Sequence, residues 1–425
     1  MKEKIFRKLK AMPVFDSHEH LLHEREMRGK PTDVIDFMTP YVCDNLMSCG
    51  MEESQWQRAN DKGISFGERF ALIEKYIPHI RNTTYFKSMM RGLERCYGMR
   101  SFTLEECERV NAALREGVDT CAIFKANNIC KAMTFVGYFG IEYFNDSQML
   151  VPVPTVSYMT PVTPEDLSLL ERESGAAVCG LDDLRRAIGA MFAIYRRCGL
   201  KNVKIGSAYN RRLDYAEPDA ERAEKQFRLV KNSEFVLPRL YGQNNRNVPM
   251  AELKDLDDFV IWECAEQARQ AGMNLIFHTG QHAWNRNDPE ACHAKYLRKF
   301  IDEHADQKIV LLHASYPYTA DSLLLGKYYP NVYLDFSWLH ILDRREAVRT
   351  IKKAIEILPT NKIAAFGGDV CTPVNTVGNL EISLENMAQA FSELVDEGDL
   401  TVSEAERICR AWLYENPQEI YGVKV

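Results

Sequence analysis

Short apolar runs alternate with amphipathic segments along most of the chain. Eight of these runs have the length and the β-branched or aromatic content of strands, and several are continuously apolar, as buried parallel strands are. The predicted strands are Val14–His20, Ala132–Val136, Met149–Val156, Asn202–Gly206, Asn274–His278, Lys308–His313, Val332–Phe336 and Ile363–Phe366.

Apolar residues at three- and four-residue spacing predict helices between most of these strands. The predicted helices cover Leu181–Arg197, Leu253–Ala271, Ala291–Glu303, Ala320–Lys327 and Arg345–Ile357, with a closing helix over Ser403–Tyr421. Eight strands, most of them followed by a helix, predict an α/β fold of the (β/α)8 TIM-barrel type. A doubly wound open sheet is the alternative, but the glycine-rich phosphate turn of that fold does not follow the first strand.

The region from about residue 31 to 131 shows no strong strand pattern. Helices are predicted there over Arg69–Ile77, Tyr85–Tyr97 and Thr103–Ala122, and the strand pattern resumes afterwards. We therefore interpret the region as a helical insertion after strand 1, within a single barrel domain that covers residues 1–425. The largely polar segment Pro218–Pro249 is interpreted as an active-site lid.

The composition is that of an ordinary globular protein, with 425 residues, 46% hydrophobic and 27% charged. The net charge of −7 argues against a nucleic-acid surface, and no apolar run reaches the ~18 residues of a membrane span. The 12 cysteines form no Cys-x-x-Cys pair and no export signal is recognisable, so we expect reduced thiols and a cytoplasmic protein. The expected partner is a small-molecule substrate, and a homo-oligomer is left open.

The first predicted strand ends in His18-Glu19-His20. Side chains alternate between the two faces of a strand, so both imidazoles point to one face and Glu19 points away. The two histidines are about 7 Å apart along the strand at ~3.3 Å per residue, a spacing at which both can bind one metal ion. A polar strand end is the simpler interpretation of this pair alone.

Other predicted strands also end in groups that can bind metals or move protons. Strand 4 carries Lys204, strands 5 and 6 end in His278 and His313, and strand 8 ends in Gly367-Gly368-Asp369. Functional side chains of TIM barrels lie at the C-terminal ends of the strands, where all of these groups would converge. The sequence therefore predicts a metal site at that end of the barrel.

The order His-x-His, Lys, His, His, Asp on strands 1, 4, 5, 6 and 8 resembles the amidohydrolase superfamily, and within it the amidohydrolase 2 group of metal-dependent TIM-barrel hydrolases. The insertion, with Glu68-Arg69-Phe70, is similar to that of the related uronate isomerases. The motifs that carry the resemblance to the amidohydrolase 2 group lie in Lys204–Tyr215, Leu312–Tyr318, Asn331–Trp338 and Lys362–Asp369.

The resemblance implies roles for these residues. His18, His20, His278 and Asp369 are the implied metal ligands, and their donor set suits Zn²⁺, with Mn²⁺ or Fe²⁺ as alternatives. Asp369 is also the implied proton acceptor and donor. His313 is implied either as a ligand of a second metal or as a donor to the substrate carbonyl. Lys204 either becomes a carbamate between two metals or remains a cation that faces the substrate, and we favour the single metal.

Three further residues are candidates for substrate binding. Tyr209 and Arg211 follow strand 4, where an arginine suits a substrate carboxylate, with a salt bridge as the equal alternative. Trp338 after strand 7 is predicted to wall the pocket, with plain packing as its alternative. His282, four residues after His278, is a weaker candidate.

The sequence thus predicts a metal-dependent hydrolase that cleaves a C–N or C–O bond of a small, anionic substrate with a metal-activated water. A uronate-type isomerase or a non-oxidative decarboxylase on the same scaffold is the first alternative. A metal-binding protein without turnover is the second, and the proton-handling Asp369 argues against it.

Overall fold

The computed structural model describes residues 1–234, 250–283 and 288–425. All eight predicted strands are present in it, and seven of them end before the predicted residue, because the last residues of those runs leave the sheet and enter loops. The strands are β1 (Val14–Glu19), β2 (Ile129–Val136), β3 (Leu150–Pro154), β4 (Asn202–Ile205), β5 (Asn274–Phe277), β6 (Ile309–Leu311), β7 (Val332–Asp335) and β8 (Ile363–Ala364).

The strands form a closed parallel barrel. β1 to β3 make one parallel ladder and β4 to β8 another, in chain order. Thr155, just after β3, pairs with Lys204 of β4, which joins the two ladders on one side. On the other side the Ser17 amide donates to the Phe366 carbonyl at 3.1 Å, which joins β8 to β1. The predicted (β/α)8 barrel is confirmed.

Helices surround the barrel and fill the long connection after β1. None of those in the described residues combines the length and the apolar character needed to span a bilayer. They are α1 (Lys2–Lys10), α2 (Glu24–Gly29), α3 (Val42–Ser48), α4 (Glu53–Asn60), α5 (Phe66–Glu74), α6 (Ile77–Ile80), α7 (Thr84–Tyr97), α8 (Leu104–Ala113), α9 (Thr120–Ala126), α10 (Pro164–Ser174), α11 (Leu181–Arg197), α12 (Ala220–Lys231), α13 (Lys254–Ala271), α14 (Arg298–Glu303), α15 (Thr319–Tyr328), α16 (Leu339–Leu342), α17 (Arg344–Ile357), α18 (Pro373–Glu397), α19 (Val402–Arg410) and α20 (Asn416–Tyr421).

The predicted helix Thr103–Ala122 is wrong as one element, because the chain turns at Gly117 between α8 and α9. Gly117 has a φ of +83°, and a Cβ at this position would lie 2.4 Å from the carbonyl oxygen of Met27. Only glycine fits such a left-handed position so close to another backbone. The following amide, of Val118, donates to the same Met27 carbonyl at 3.0 Å.

The predicted lid over Pro218–Pro249 is corrected in its first half. That half forms α12, which packs Ala223, Phe227 and Val230 into the main apolar core and is therefore part of the helical layer. The second half of the predicted lid, from residue 235, lies outside the described residues.

The longest helix, α18, has no counterpart among the predicted elements. It is buried nearly all round, and its buried residues include Asn375, Asn379, Ser383 and Asn386. Polar residues on buried faces hide the 3.6-residue apolar period by which such a helix is recognised in a sequence.

Ile420 and Tyr421 cover the end of the barrel at which the strands begin. The side chains of Asn202 and Lys308, at the starts of β4 and β6, donate to the carbonyl oxygens of Tyr421 and Ile420 at 2.8 and 3.0 Å. The Ile420 and Tyr421 side chains join the apolar cluster inside the barrel, together with Phe15. The opposite, C-terminal ends of the strands are thus left for a functional site.

The residues between β1 and β2 form α2 to α9, as the predicted helical insertion requires, and they have an apolar cluster of their own. That cluster includes Val374 of α18, so the insertion and a barrel helix share a core. α7 crosses α18 at Gly92 and Gly378, where a Cβ would lie 2.1 and 2.0 Å from backbone oxygens of the other helix. The assignment of the whole chain to one domain stays a prediction.

We expect Gly378→Ala to destabilise the protein by about 2 kcal/mol or more, because the added methyl group collides with the backbone of α7. Gly67→Ala is the matched control. Gly67 lies in the first turn of α5, where an added Cβ would meet nothing within 4 Å, so alanine should leave stability unchanged or raise it by up to ~1 kcal/mol. Urea unfolding midpoints measure both effects, and equal midpoints for the two variants would contradict the tight crossing.

Candidate metal centre

The predicted strand-end residues meet at one end of the barrel. His18 is the fifth residue of β1, His278 follows β5 directly, and His313 is the second residue after β6. Asp369 follows β8 by five residues, and its amide donates to the His18 carbonyl at 2.7 Å. The backbone contact between the segments after β8 and along β1 therefore brings the carboxylate to the histidines.

His18, His20 and Asp369 form the tightest group. Oδ1 of Asp369 lies 3.3 Å from Nε2 of His18 and 3.3 Å from Nε2 of His20. One ligand atom from each residue lies within 4.8 Å of the others, close enough for a single metal ion. The His18 side chain is fully buried, whereas that of His20 is 42% exposed, so the group is open on the His20 side.

His278 and His313 present bare nitrogens to the same region. Nε2 of His278 lies 2.9 Å from the Gln281 carbonyl, and Nδ1 of His313 lies 3.0 Å from the Ser337 carbonyl. A carbonyl oxygen only accepts, so in each neutral ring that nitrogen carries the proton and the other nitrogen is bare. These two bare nitrogens, Nδ1 of His278 and Nε2 of His313, face each other at 3.2 Å.

This donor set fits a cation. Two facing lone pairs repel each other, and Oδ2 of Asp369, which lies 3.6 Å from Nε2 of His313, is also an acceptor. Imidazole nitrogens with their other N–H held by a carbonyl, next to a carboxylate, are the usual surroundings of Zn²⁺ and related divalent ions. The structure places His278 beyond His313 and outside the tightest group, so its role as a ligand stays a prediction.

The protonation states also suit a metal. Burial lowers the pKa of His18 and His278 well below the usual value and that of His313 to about 4. Burial alone would raise the pKa of Asp369, but the neighbouring histidines, His18 first, hold it well below its usual range. At neutral pH His18, His278 and His313 are therefore neutral and Asp369 is ionised, the forms that bind metals.

Lys204 lies inside the barrel, as predicted. Its Nζ is 3.2 Å from Nε2 of His18 and 4.6 Å from the centre of the Phe135 ring. Val203 and Ile205, on either side of it in β4, point outward into the core between the strands and helices. Burial lowers the pKa of Lys204 to about 8, against the attraction of Asp369.

The backbone around the site is held in unusual conformations. His313, Ala314 and Ser315 have φ values of 63°, 46° and 53°, and Asp369 has 54°. Non-glycine residues rarely adopt this left-handed region, which costs about 1 kcal/mol or more for each residue. Strain of this kind persists where the surrounding structure requires a particular side-chain direction, as it does for His313 and Asp369.

Two acids behind the site support the turn that carries Asp369. Oδ1 of Asp16 accepts from the Gly368 amide at 3.2 Å, and Oε2 of Glu19 accepts from the Val370 amide at 2.9 Å. Burial raises the pKa of Asp16 to about 7, and burial together with Asp16 raises that of Glu19 well above its usual value. The two carboxyl groups are hydrogen-bonded to each other, so at least one of them keeps its proton.

Glu19 points away from the histidine pair, as expected. Its side chain lies against Gly368, which explains why this position has no side chain. A Cβ on Gly368 would lie 2.1 Å from Oε1 of Glu19. A Cβ on Gly367 would lie 2.7 Å from the Cβ of His18. Neither position has room for a side chain, so the Gly-Gly pair permits the close approach of this turn to β1.

Asn379 of α18 supports the same turn from the other side. Its Nδ2 donates to the Gly368 carbonyl at 2.5 Å, and its Oδ1 accepts from the Ser88 hydroxyl on α7. Tyr41 of the insertion adds a hydrogen bond from its hydroxyl to the Asp369 carbonyl at 2.5 Å. The sequence analysis missed both residues, because neither lies near a strand end and no motif marks them.

The predicted substrate-binding residues have different surroundings. The Tyr209 ring lies 4.6 Å from that of His278, so it borders the cluster. It also stacks on the His282 ring at 4.7 Å, which places His282 beside the cluster as well. The Trp338 ring lies 5.3 Å from that of His313 but is only 2% exposed beneath Tyr41, which favours its packing alternative. Substrate contacts of Tyr209 and Trp338 stay predictions.

Arg211 is not brought to the cluster. Its Nη1 donates to Asp258 at 2.6 Å and to Asp257 at 3.2 Å, and all three side chains are buried. Within the described residues, every hydrogen bond of its guanidinium group goes to residues 212–214 and 254–258. The salt-bridge alternative explains this arginine, because a buried cation needs such partners.

Comparison with known proteins agrees with this geometry. The Amidohydrolase family matches residues 154–423, which is well over half of the chain. The chain belongs to the amidohydrolase family. The fold of this family is a TIM barrel and the family is metal-dependent, in accord with the donor set described above. The family and the similar solved structures support the conclusion that the protein is an enzyme.

Three known proteins are similar to this chain in sequence or in structure. Protein fluG of Emericella nidulans is 26% identical over 222 residues, which are 50% of this chain and 24% of that protein, so the match spans about a quarter of the relative. A uronate isomerase of Thermotoga maritima is similar in structure with a TM-score of 0.80 and 16% identity, over 99% of this amidohydrolase and 97% of that chain. A proposed metal-dependent hydrolase of Lactobacillus casei has a TM-score of 0.68 and 16% identity, over 99% of both chains.

We expect Asn379→Ala to weaken binding of Zn²⁺ by about tenfold, because the Gly368 carbonyl loses its donor and the adjacent Asp369 is no longer held in place. Competition with a chromophoric chelator measures the affinity. Asn386→Ala is the matched control. Asn386 is also buried in α18, donates to the His340 carbonyl at 3.0 Å and accepts from Arg344. Asn386→Ala should lower stability about as much as Asn379→Ala and leave metal affinity unchanged. Equal metal affinities in the two variants would contradict the role of Asn379.

Proposed function

We propose that this amidohydrolase is a metal-dependent hydrolase that cleaves a C–N or C–O bond of a small, anionic substrate. The observation that carries the proposal is the position of Asp369. It is a buried carboxylate in contact with His18, His20 and His313, and its pKa is held well below the usual range. At neutral pH this group is ionised, as a proton acceptor must be, and it lies where it could take a proton and return it to a leaving group.

His18, His20 and Asp369 would hold the ion, and His278 and His313 offer two further bare nitrogens in the same region. Zn²⁺ suits this donor set best, with Mn²⁺ or Fe²⁺ as alternatives, and we favour a single ion. When bound, such an ion lowers the pKa of water from ~16 towards ~7 and polarises a carbonyl group. The residues of the chain must then orient the substrate and move the protons.

His313 is better suited to accept than to donate. Its Nδ1–H is held by the Ser337 carbonyl, its Nε2 is bare, and burial lowers its pKa to about 4. At neutral pH it therefore has no proton on Nε2 with which to polarise a substrate carbonyl. The donor role implied by the resemblance is therefore not favoured. The other implied role, ligand of a second metal, applies only to a two-metal form, and with a single ion His313 would relay a proton from Asp369, whose Oδ2 lies 3.6 Å from its Nε2.

Lys204 supplies the positive charge that an anionic substrate requires. Its ammonium group lies at the inner edge of the site next to His18, and Phe135 packs beneath it. In the single-metal form that we favour, Lys204 is not carboxylated, and its ammonium group faces the substrate anion. If CO₂ converts it to a carbamate, it would instead bridge two ions.

A cavity of about 220 Å³ is lined by neighbours of the residues that support the centre, and we propose that it takes the remote part of the substrate. Its lining includes Gln281, whose carbonyl holds His278, and Tyr85, which stacks on Tyr41. Asn45 and Thr84 add neutral polar groups. A cavity of this size fits a small molecule whose remote part forms hydrogen bonds without carrying charge.

A uronate-type isomerase is the second candidate. The observation that favours it is the likeness to the Thermotoga maritima uronate isomerase, which extends over 99% of this chain and therefore includes the helices between β1 and β2. At 16% identity this likeness concerns the fold alone. An isomerase would use Asp369 to move a proton between adjacent carbons. A non-oxidative decarboxylase on the same scaffold is a further alternative; it would break a C–C bond, release CO₂ and deliver a proton to the carbon that is left.

We expect purified protein to contain at least one divalent ion per chain and the His18→Ala/His20→Ala variant to lose it, because both imidazoles contact Asp369 at 3.3 Å. Elemental analysis after growth in metal-supplemented medium measures this. His23→Ala/His293→Ala is the control, since these histidines cap helices and pair with Asp146 and Asp321 away from the site. Negligible metal in the wild type, with no activity restored by Zn²⁺ or Mn²⁺, would refute the proposal.

Reaction in ¹⁸O-labelled water separates the two candidate functions. A hydrolase must place solvent oxygen in a product, whereas an isomerase leaves the substrate oxygens in place apart from slow carbonyl exchange. We expect N-acyl amino acids or lactones to be turned over and their products to contain the label. Mass spectrometry of the products measures the incorporation. Turnover of hexuronates alone, without incorporation beyond the exchange seen in an enzyme-free sample, would establish the isomerase instead.

A further inference from the structure

A groove of about 550 Å³ lies on the helical insertion, on the outside of the barrel. α6, α7 and the loop over residues 99–103 form its walls, and α17 and α18 contribute Arg344 and Ile382. We call it the basic groove. The metal ligands do not line it, so it is separate from the candidate metal centre. Its volume lies in the range of small-molecule sites, which is about 300–1,000 Å³.

The charge of the basic groove contrasts with that of the whole protein. The chain carries a net charge of −7, yet the groove is lined by five cationic side chains and one acidic side chain. The acid is Glu94. The cations are Arg81, Lys87, Arg91, Arg100 and Arg344.

Two of these cations are already compensated. Glu385 accepts from Arg91 at 3.3 Å and from Arg344 at 2.8 Å, and Glu94 lies 3.7 Å from Arg91. Arg81, Lys87 and Arg100 are exposed, and none of them forms a salt bridge with a described residue. Exposed cations that line one groove give it a positive potential, which attracts an anion.

The floor of the basic groove is apolar. Phe86 and Met99 are 5% and 0% exposed and belong to the core of the insertion, and Met90 and Phe102 are half-buried above them. The core of the insertion thus reaches the surface inside a cationic rim. An apolar patch enclosed by charges of one sign suits a ligand that has an apolar body and an opposite charge.

We propose that the basic groove is a second binding site, which takes a small organic anion with an apolar, preferably aromatic, body. The guanidinium groups of Arg81 and Arg100 bind the anionic group, since the arginine fork suits carboxylates, phosphates and sulfonates. The body of the ligand packs on Met90 and Phe102. This site is independent of the proposed hydrolase activity and requires no metal.

Two fluorescent dyes test the proposal. 8-Anilinonaphthalene-1-sulfonate has an aromatic body and one negative charge, and N-phenyl-1-naphthylamine has the same body without the charge. We expect the sulfonate to bind the wild-type protein saturably. Arg81→Gln/Arg100→Gln should weaken its binding by about fivefold or more, because two charge-assisted contacts are lost.

Arg58→Gln/Arg115→Gln is the matched control. Both arginines are exposed on the same insertion and do not line the basic groove, so this variant changes the net charge equally. It should leave sulfonate affinity unchanged within twofold, and the neutral dye should bind both variants as it binds the wild type. Melting temperatures establish that all three proteins are folded.

Three results would overturn the proposal. The first is the absence of saturable sulfonate binding to the wild type. The second is equal sulfonate affinity in the two double variants, which would place the dye elsewhere. The third is a loss of neutral-dye binding in Arg81→Gln/Arg100→Gln as large as the loss of sulfonate binding, which would show that the cations only maintain the apolar floor.

Discussion

The contact between β1 and the segment after β8 is the constraint on which the rest of this structure depends. Ser17 donates to Phe366, Asp369 donates to the His18 carbonyl, and His20 donates to Val370, all through backbone amides at 2.7 to 3.1 Å. These bonds close the barrel, since β8 is the last strand and β1 the first. They also bring the carboxylate to the two histidines. The same backbone hydrogen bonds therefore close the barrel and assemble the candidate metal centre.

This contact requires unusual chemistry behind it. Gly367 and Gly368 leave room for β1 to approach, and the carboxyl groups of Asp16 and Glu19 bind the amides of the turn. Burying two carboxylates side by side would be very unfavourable, and the raised pKa values show how the structure avoids it. A shared proton leaves at most one negative charge, and the oxygens still accept hydrogen bonds.

The helical insertion is tied to the same turn. Ser88 of α7 donates to Asn379 of α18, which in turn donates to the Gly368 carbonyl next to Asp369. Tyr41 reaches the Asp369 carbonyl directly. The glycine contacts at the crossing of α7 and α18 set the short distance that these bonds need. The insertion therefore supports the centre, and on its outer side it also forms the basic groove.

The sequence by itself determined the order and type of the barrel elements, and it predicted most of the side chains that the structure brings together in the candidate centre. Eight apolar runs, and polar groups at their ends such as His18 and Asp369, are local patterns, and local patterns are visible in a sequence alone. Only the tertiary structure decided how α18 is buried, that Arg211 forms salt bridges with Asp257 and Asp258, and that Asn379 supports the turn that carries Asp369. Each of these depends on partners distant in the chain, and a contact between distant residues leaves no period or motif in the sequence around either of them.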